Sequence, residues 1–256
     1  MIFDIYVISF LFLIGFFVSV LDILIAIKLP KDDYEINICD RCENRYKWYE
    51  LIPIFNYIRY LGKCRYCKQK LNIWYPIAQI FLCVIYPISF IIYGFSYEMI
   101  ILIIISTLLV NIFISDFNYY IILDEPIILF SIMILILKFS FFGLKTFLLS
   151  LASGLIIFIF MLGIRTIGNK LSKQDTLGGG DIKLSFLFGC ALGIRLSMVS
   201  IILGSFLAFP ISLYYSLSSK NKHIPFGPYL ITGLFIVFTF MDPIRDFLTI
   251  IFKGMY

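Results

Sequence analysis

Histidine is almost missing from this chain: His223 stands alone among 256 residues. A zinc protease of the H-E-x-x-H type needs two histidines on one helix face, and a Ser/His/Asp triad needs one beside its serine. Neither can be assembled elsewhere in the chain, and His223, close to Pro225, reads as a loop residue. Charge is scarce as well. Charged residues make up 14% of the chain and hydrophobic ones 61%, against about a quarter charged in an ordinary soluble domain. A water-soluble fold is excluded on that ground, and the bilayer is the solvent. A phosphate-binding loop is also missing, because no Gly-Lys-Ser/Thr follows the glycines Gly178, Gly179 and Gly180. Tandem repeats and low-complexity linkers are absent.

What is present is apolar length. One span takes roughly 20 apolar residues, so the chain has room for about eight. The expected fold class is an all-α polytopic membrane protein with about eight transmembrane helices and one small cytosolic zinc-ribbon-like segment. Ile5 to Ile27 reads as a retained first span: Asp4, not a basic stretch, precedes it, and no small-residue cleavage site follows. Later apolar runs are Pro76 to Tyr93, Met99 to Ser115, Pro126 to Phe142 and Phe147 to Ile164, then Ile182 to Ile194, Leu196 to Leu217 and Ile224 to Met241. The run from Ile182 is too short to cross unaided. The expected division is 1–28 as the first helix, 29–75 as a cytosolic four-cysteine segment, and 76–256 as a second membrane domain.

The net charge of +5 is no sign of a nucleic-acid partner, because 10 of the 21 Lys and Arg lie between Lys28 and Lys70. The positive-inside rule places that basic segment in the cytosol. Counting spans then puts loops 116–125, 165–181 and 218–223 on the same face, with Arg165, Lys170, Lys173, Lys220 and Lys222. The tail from Pro243 to Tyr256 falls on the other side, and its apolar residues at helical spacing suit the membrane surface.

Cys39-Asp-Arg-Cys42 and Cys64-Arg-Tyr-Cys67 form two C-x2-C pairs. Four thiolates on two tight turns make a tetrahedral zinc site with no open position, hence a structural one. Two disulfides are the alternative, and a reducing cytosol disfavours them. Cys83 and Cys190, inside spans, read as small buried hydrophobes.

Carboxylates inside a span are costly and therefore functional candidates. Asp116 ends the third run and Asp181 opens the sixth, directly after the three glycines, and the span count sets both at one face. Two carboxylates together in a low-dielectric site cannot both ionise easily, so one serves as acid and one as base, as activation of water against a peptide bond requires. The competing reading makes both aspartates helix caps. Asp124 and Glu125, followed by Pro126, read as a helix start. Lys183 could hold the charge of the pair or bind lipid phosphate, and lipid is the reading favoured. Gly189 and Gly193 form a G-x-x-x-G packing motif. Asp22, near the end of the first span, is expected to snorkel to the interface.

Taken in order, these residues resemble the type IV prepilin peptidases, the bacterial membrane aspartyl proteases of the G-x-G-D type. The resemblance runs through Cys39 to Cys42, Trp48, Ile52-Pro53, Gly62 to Cys67, Tyr75-Pro76, Asp116 with Asp124, Leu177 to Lys183, and Ile224 to Pro228. It implies that Asp116 and Asp181 are the catalytic pair, with Gly178, Gly179, Gly180, Asp124 and Lys183 in or beside the active-site loop. It also implies type IV prepilin or pseudopilin substrates, cut before their apolar segment at the cytosolic face of the bacterial inner membrane. Family members usually methylate the new terminus with S-adenosylmethionine. Gln79 departs from the pattern, standing where the family usually has Glu, as do Leu123 before Asp124 and the poor first-span remnants Gly15 and Lys28. Two other classes remain: a cation transporter using the same aspartates at broken helices, and an assembly factor built on the cysteine segment.

Overall fold

The computed structural model describes residues 2–31, 42, 44–172, 177–217 and 225–253. Every regular element among them is helical: α1 (Ile2–Lys28), α2 (Pro53–Arg59), α3 (Trp74–Tyr93), α4 (Tyr97–Tyr119), α5 (Asp124–Ser172), α6 (Gly179–Leu217), α7 (Gly227–Thr239) and α8 (Met241–Lys253). Five helices are long and apolar enough to cross a membrane, or six if the bent pair α7 and α8 counts as one span. The chain is thus an all-helical multi-pass membrane protein. It divides into two compact units, Met1–Tyr119 and Tyr120–Tyr256.

In the first unit α1, α3 and α4 pack together around Leu11, Ile23, Ala26, Leu82, Tyr86, Val110 and Ile114. Helices α3 and α4 are joined by three residues. Gly94, at φ 60, ends α3, and the Ser96 hydroxyl accepts the Met99 N–H at 3.3 Å as an N-cap, the two standard ways of closing a helix end. Between the helices the Tyr86 and Thr107 hydroxyls share a 2.7 Å hydrogen bond, which pairs two polar groups that the lipid interior could not satisfy.

The second unit is built from α5, α6 and α7, with a break in each of the two long helices. A continuous helix of 49 residues would run about 73 Å, more than twice the roughly 30 Å of a hydrocarbon core. Gly143 (φ 77, ψ −173) interrupts α5 and Gly193 (φ 74, ψ 175) interrupts α6. At neither glycine would a Cβ meet another atom; the backbone conformation, not space, demands glycine there. The expected boundaries after Phe142 and at Ile194 therefore coincide with real breaks.

The G-x-x-x-G reading holds for one glycine only. A Cβ on Gly189 would lie 2.5 Å from the Gly154 Cα, so α5 and α6 touch backbone to backbone there, whereas Gly193 is the break itself. Just before that break, Lys138 Nζ donates to the carbonyls of Cys190 and Ala191 at 2.6 and 3.0 Å. A half-buried ammonium there satisfies the open carbonyls of a helix end. Cys83 and Cys190 are buried as expected. Helix α8, with Phe247 and Ile250 exposed, bends 82° from α7.

Candidate active site and cysteine cluster

Asp116 lies in the last turn of α4, 5% exposed. The same helix holds a second buried polar contact one and a half turns earlier, where Asn111 Nδ2 donates to Asp22 Oδ1 at 2.9 Å. Asp22 is itself 5% exposed, which corrects the snorkelling expected of it. The carboxylate turns to an amide donor on a neighbouring helix, because a hydrogen bond inside the bundle satisfies one of its oxygens without unwinding α1 toward water. Beyond α4, Tyr120 is held at φ 57, a left-handed conformation that costs an L-residue about 1–2 kcal/mol.

Asp181 sits in the first turn of α6, 5% exposed. Its side chain folds back on the loop: a Cβ on Gly178 would lie 3.0 Å from Asp181 Oδ2. A Cβ on Gly180 would lie 2.7 Å from the Ile122 Cβ, while Gly179 has nothing nearer than the Arg165 guanidinium at 3.9 Å. The second unit thus brings the start of α6 against the segment leading into α5. Lys183 Nζ and Asp124 Oδ2 pair at 2.5 Å across the same junction. This gives Lys183 a protein partner where a lipid phosphate was favoured, and α5 begins at Asp124 as expected. Both side chains of the pair are about half exposed (51% and 45%), so it adds at most about 1 kcal/mol.

The cysteine segment folds on tight turns. Lys68 N–H donates to the Cys64 carbonyl at 3.0 Å and Cys64 N–H to the Gln69 carbonyl at 2.7 Å, with Leu61, Gly62 and Lys68 at positive φ. The sulfurs of Cys42, Cys64 and Cys67 lie within 4.8 Å of one another, a donor set that fits a metal ion of zinc type. Cys39 lies outside the described residues. The Gln69 backbone N–H favours the Cys67 thiolate, but burial and the neighbouring Cys64 and Cys42 thiols outweigh it and push that thiol up to about 11.

Glu50 is the residue that sequence reasoning missed. Buried at 3%, its carboxylate accepts the Lys47 N–H and the Tyr60 hydroxyl, both at 2.8 Å, and faces Arg65 at 3.4 Å. Its backbone carbonyl accepts Asn56 Nδ2 at 2.7 Å. Burial opposes its charge, yet the Lys47, Tyr60 and Arg65 donors prevail and hold the carboxyl below the usual range. A lowered folded value means stability that is complete above the ordinary carboxylate range and is lost as pH falls through the lowered value. Glu50→Gln is therefore expected to loosen this segment at neutral pH by about 1–3 kcal/mol, a loss the unaltered protein shows only in acid. Hydrogen exchange of residues 47–65 measures it, and unchanged protection would refute it. Gln79, one of the departures from the family pattern, is fully buried and accepts the Ile54 N–H at 3.0 Å, a task that needs an acceptor oxygen and no charge.

Comparison with known proteins gives a consistent picture. The family described as Bacterial Peptidase A24 N-terminal domain matches residues 11–93, and the one described as Type IV leader peptidase family matches residues 101–213. The chain is similar to the prepilin leader peptidase/N-methyltransferase of Vibrio cholerae, 27% identical over 80% of this chain and 81% of that protein. Its namesake from Bacillus subtilis is 25% identical over 82% and 83%, and that of Neisseria gonorrhoeae 25% over 80% and 71%. No solved structure matches.

Proposed function

The chain belongs to the type IV leader peptidase family, and on that premise we propose how its own residues carry out the family's work. It is a prepilin peptidase: a membrane aspartyl endopeptidase that removes the basic leader of type IV prepilins and pseudopilins. The reading rests on two aspartates, Asp116 in the first unit and Asp181 in the second, each 5% exposed on an apolar helix and both inside the 101–213 match. One carboxylate takes a proton from water as the oxygen attacks the scissile carbonyl carbon. The other, protonated, gives its proton to the departing nitrogen, so the carbon–nitrogen bond breaks with no group left on the enzyme. Gly178 and Gly180 leave room for Asp181 and Ile122, and Asp124 with Lys183 ties the loop ends together.

With the breaks at Gly143 and Gly193 taken to divide α5 and α6, and the bent pair α7 and α8 taken as one span, we read about eight spans. With the basic segment inside, the aspartates face the cytosol in the bacterial inner membrane. The three parts are the first helix 1–28, the cytosolic segment 29–75 and the peptidase domain 76–256. Cys39, Cys42, Cys64 and Cys67 would hold a structural Zn2+, which supplies a rigid cross-link between two turns. Cys67→Ser is expected to lower bound zinc from about one ion per chain to a small fraction of that, measured by metal analysis of the purified protein; unchanged zinc would remove the site. The chain also N-methylates the new terminus, with S-adenosylmethionine as donor. The cation-transport alternative has no support among the relatives.

Mass spectrometry of a co-expressed prepilin tests the whole reading. The expected product is shortened at the leader boundary and heavier by one methyl group at its new N-terminus. An intact prepilin would overturn the peptidase, and a cut but unmethylated one would overturn the methyl transfer alone.

A further inference from the structure

Apolar packing gives α4 no preferred face. At about 100° of turn per residue, Ile101, Leu102, Ile104 and Val110 point to four different sides of the helix, and all four are buried. Its rotation about its own axis must therefore be set by polar groups. Of those buried along α4, Ser106 and Ser115 turn back on the Leu102 and Ile112 carbonyls of their own helix at 2.6 and 3.4 Å. Thr107 and Asn111, one turn apart, reach across instead. Thr107 gives its hydroxyl proton to the Ile103 carbonyl at 2.8 Å, so in its 2.7 Å contact with α3 the Tyr86 hydroxyl is the donor. Asn111 Nδ2 donates to Asp22 Oδ1 of α1 at 2.9 Å. Both bonds hold one stripe of α4 against its neighbours, and bilayer hydrocarbon offers no competing partner. Asp116 follows five residues after Asn111, about 7.5 Å further along the axis and about 140° round it.

We infer that Asp22 and Asn111 are positioning residues for cleavage: their hydrogen bond sets the rotation of α4, and with it the direction in which Asp116 presents its carboxylate. The inference rests on the peptidase reading above and adds a residue of the first helix to it. A single polar pair in an apolar helix interface can fix register while adding little net stability. Both residues are buried within the first unit and act through Asp116. Asp22 serves as a hydrogen-bond acceptor, so an amide oxygen at the same place can replace it.

Cleavage kinetics of the full chain in lipid nanodiscs test this, with dicyclohexylcarbodiimide labelling of Asp116 read by peptide mass spectrometry on the same samples. Asp22→Leu combined with Asn111→Leu removes both partners, so neither is left buried and unpaired and the bundle stays folded, as zinc content and Tm report. This double variant is expected to lose about tenfold to a hundredfold in kcat, the scale of a displacement of up to about 1 Å at a catalytic group. KM stays close to wild type, and labelling of Asp116 changes severalfold. Asp22→Asn keeps an acceptor for the Asn111 amide and is expected to cleave and label like wild type. Unchanged kcat and labelling in the double variant would overturn the inference. An Asp22→Asn protein as slow as the double variant would overturn it too, because the charge of Asp22 and not its hydrogen bond would then matter. A double variant with altered Asp116 labelling, beside a wild-type chain that leaves prepilin intact, would keep the positioning and sink the peptidase reading instead.

Discussion

Asp181→Asn protein is expected to leave prepilin essentially uncut, with the cleavage rate down by roughly 10²–10⁴-fold, the contribution of one acid–base group, or more if water attack fails entirely. Asparagine matches aspartate in size, so the helix start and its glycines are undisturbed, but the amide can neither take a proton from water nor give one up. Asp116→Asn is expected to do the same, and the double variant no worse than either alone, because acid and base act as one unit. Folding is monitored independently. The sulfur cluster and both tryptophans, Trp48 and Trp74, lie in the first unit, so zinc content and tryptophan emission report on its integrity while Asp181 is altered. An Asp181→Asn protein that still trims prepilin at the wild-type rate would remove the aspartyl mechanism altogether.

The three glycines before Asp181 are chemically identical and are expected to respond differently to alanine. At Gly180 the added methyl would stand 2.7 Å from the Ile122 Cβ, a branched carbon next to the backbone with no flexible end to move aside. The start of α6 must then shift. Overpacking of this kind costs about 1–3 kcal/mol of stability, and a displacement near 1 Å at a catalytic group costs about 10²-fold in rate. Gly178→Ala places its methyl 3.0 Å from Asp181 Oδ2, so it swings the carboxylate itself and lowers rate with little effect on thermal stability. Gly179 has only the far end of Arg165 at 3.9 Å, and Gly179→Ala is expected to stay within about threefold of wild type, since a surface change at a helix start is worth a few tenths of a kcal/mol. Equal losses at all three positions would mean that the loop needs glycine for mobility and not for room.

What could be read from the residue order alone depends on local physics. Bilayer thickness dictates apolar run length, so the spans and their breaks near Gly143 and Gly193 were legible. The two C-x2-C pairs and the Gly178 to Asp181 run were legible for the same reason, since each packs its chemistry into four consecutive residues. Partners far apart in the chain were not. Nothing near Asp22 announces Asn111, 89 residues away, so snorkelling was the sensible local expectation and the bundle decided otherwise. Lys183 finds Asp124 only because α5 and α6 start side by side, and Glu50 becomes the centre of its segment only when Tyr60 and Arg65 fold back over it. The membrane class and the helix breaks at Gly143 and Gly193 were determined by sequence, because hydrophobic length and backbone-specific glycines act within a few residues. Which carboxylates are satisfied, and which of the three glycines has no room for a methyl, was decided only by tertiary packing, because those depend on groups brought together across dozens of residues.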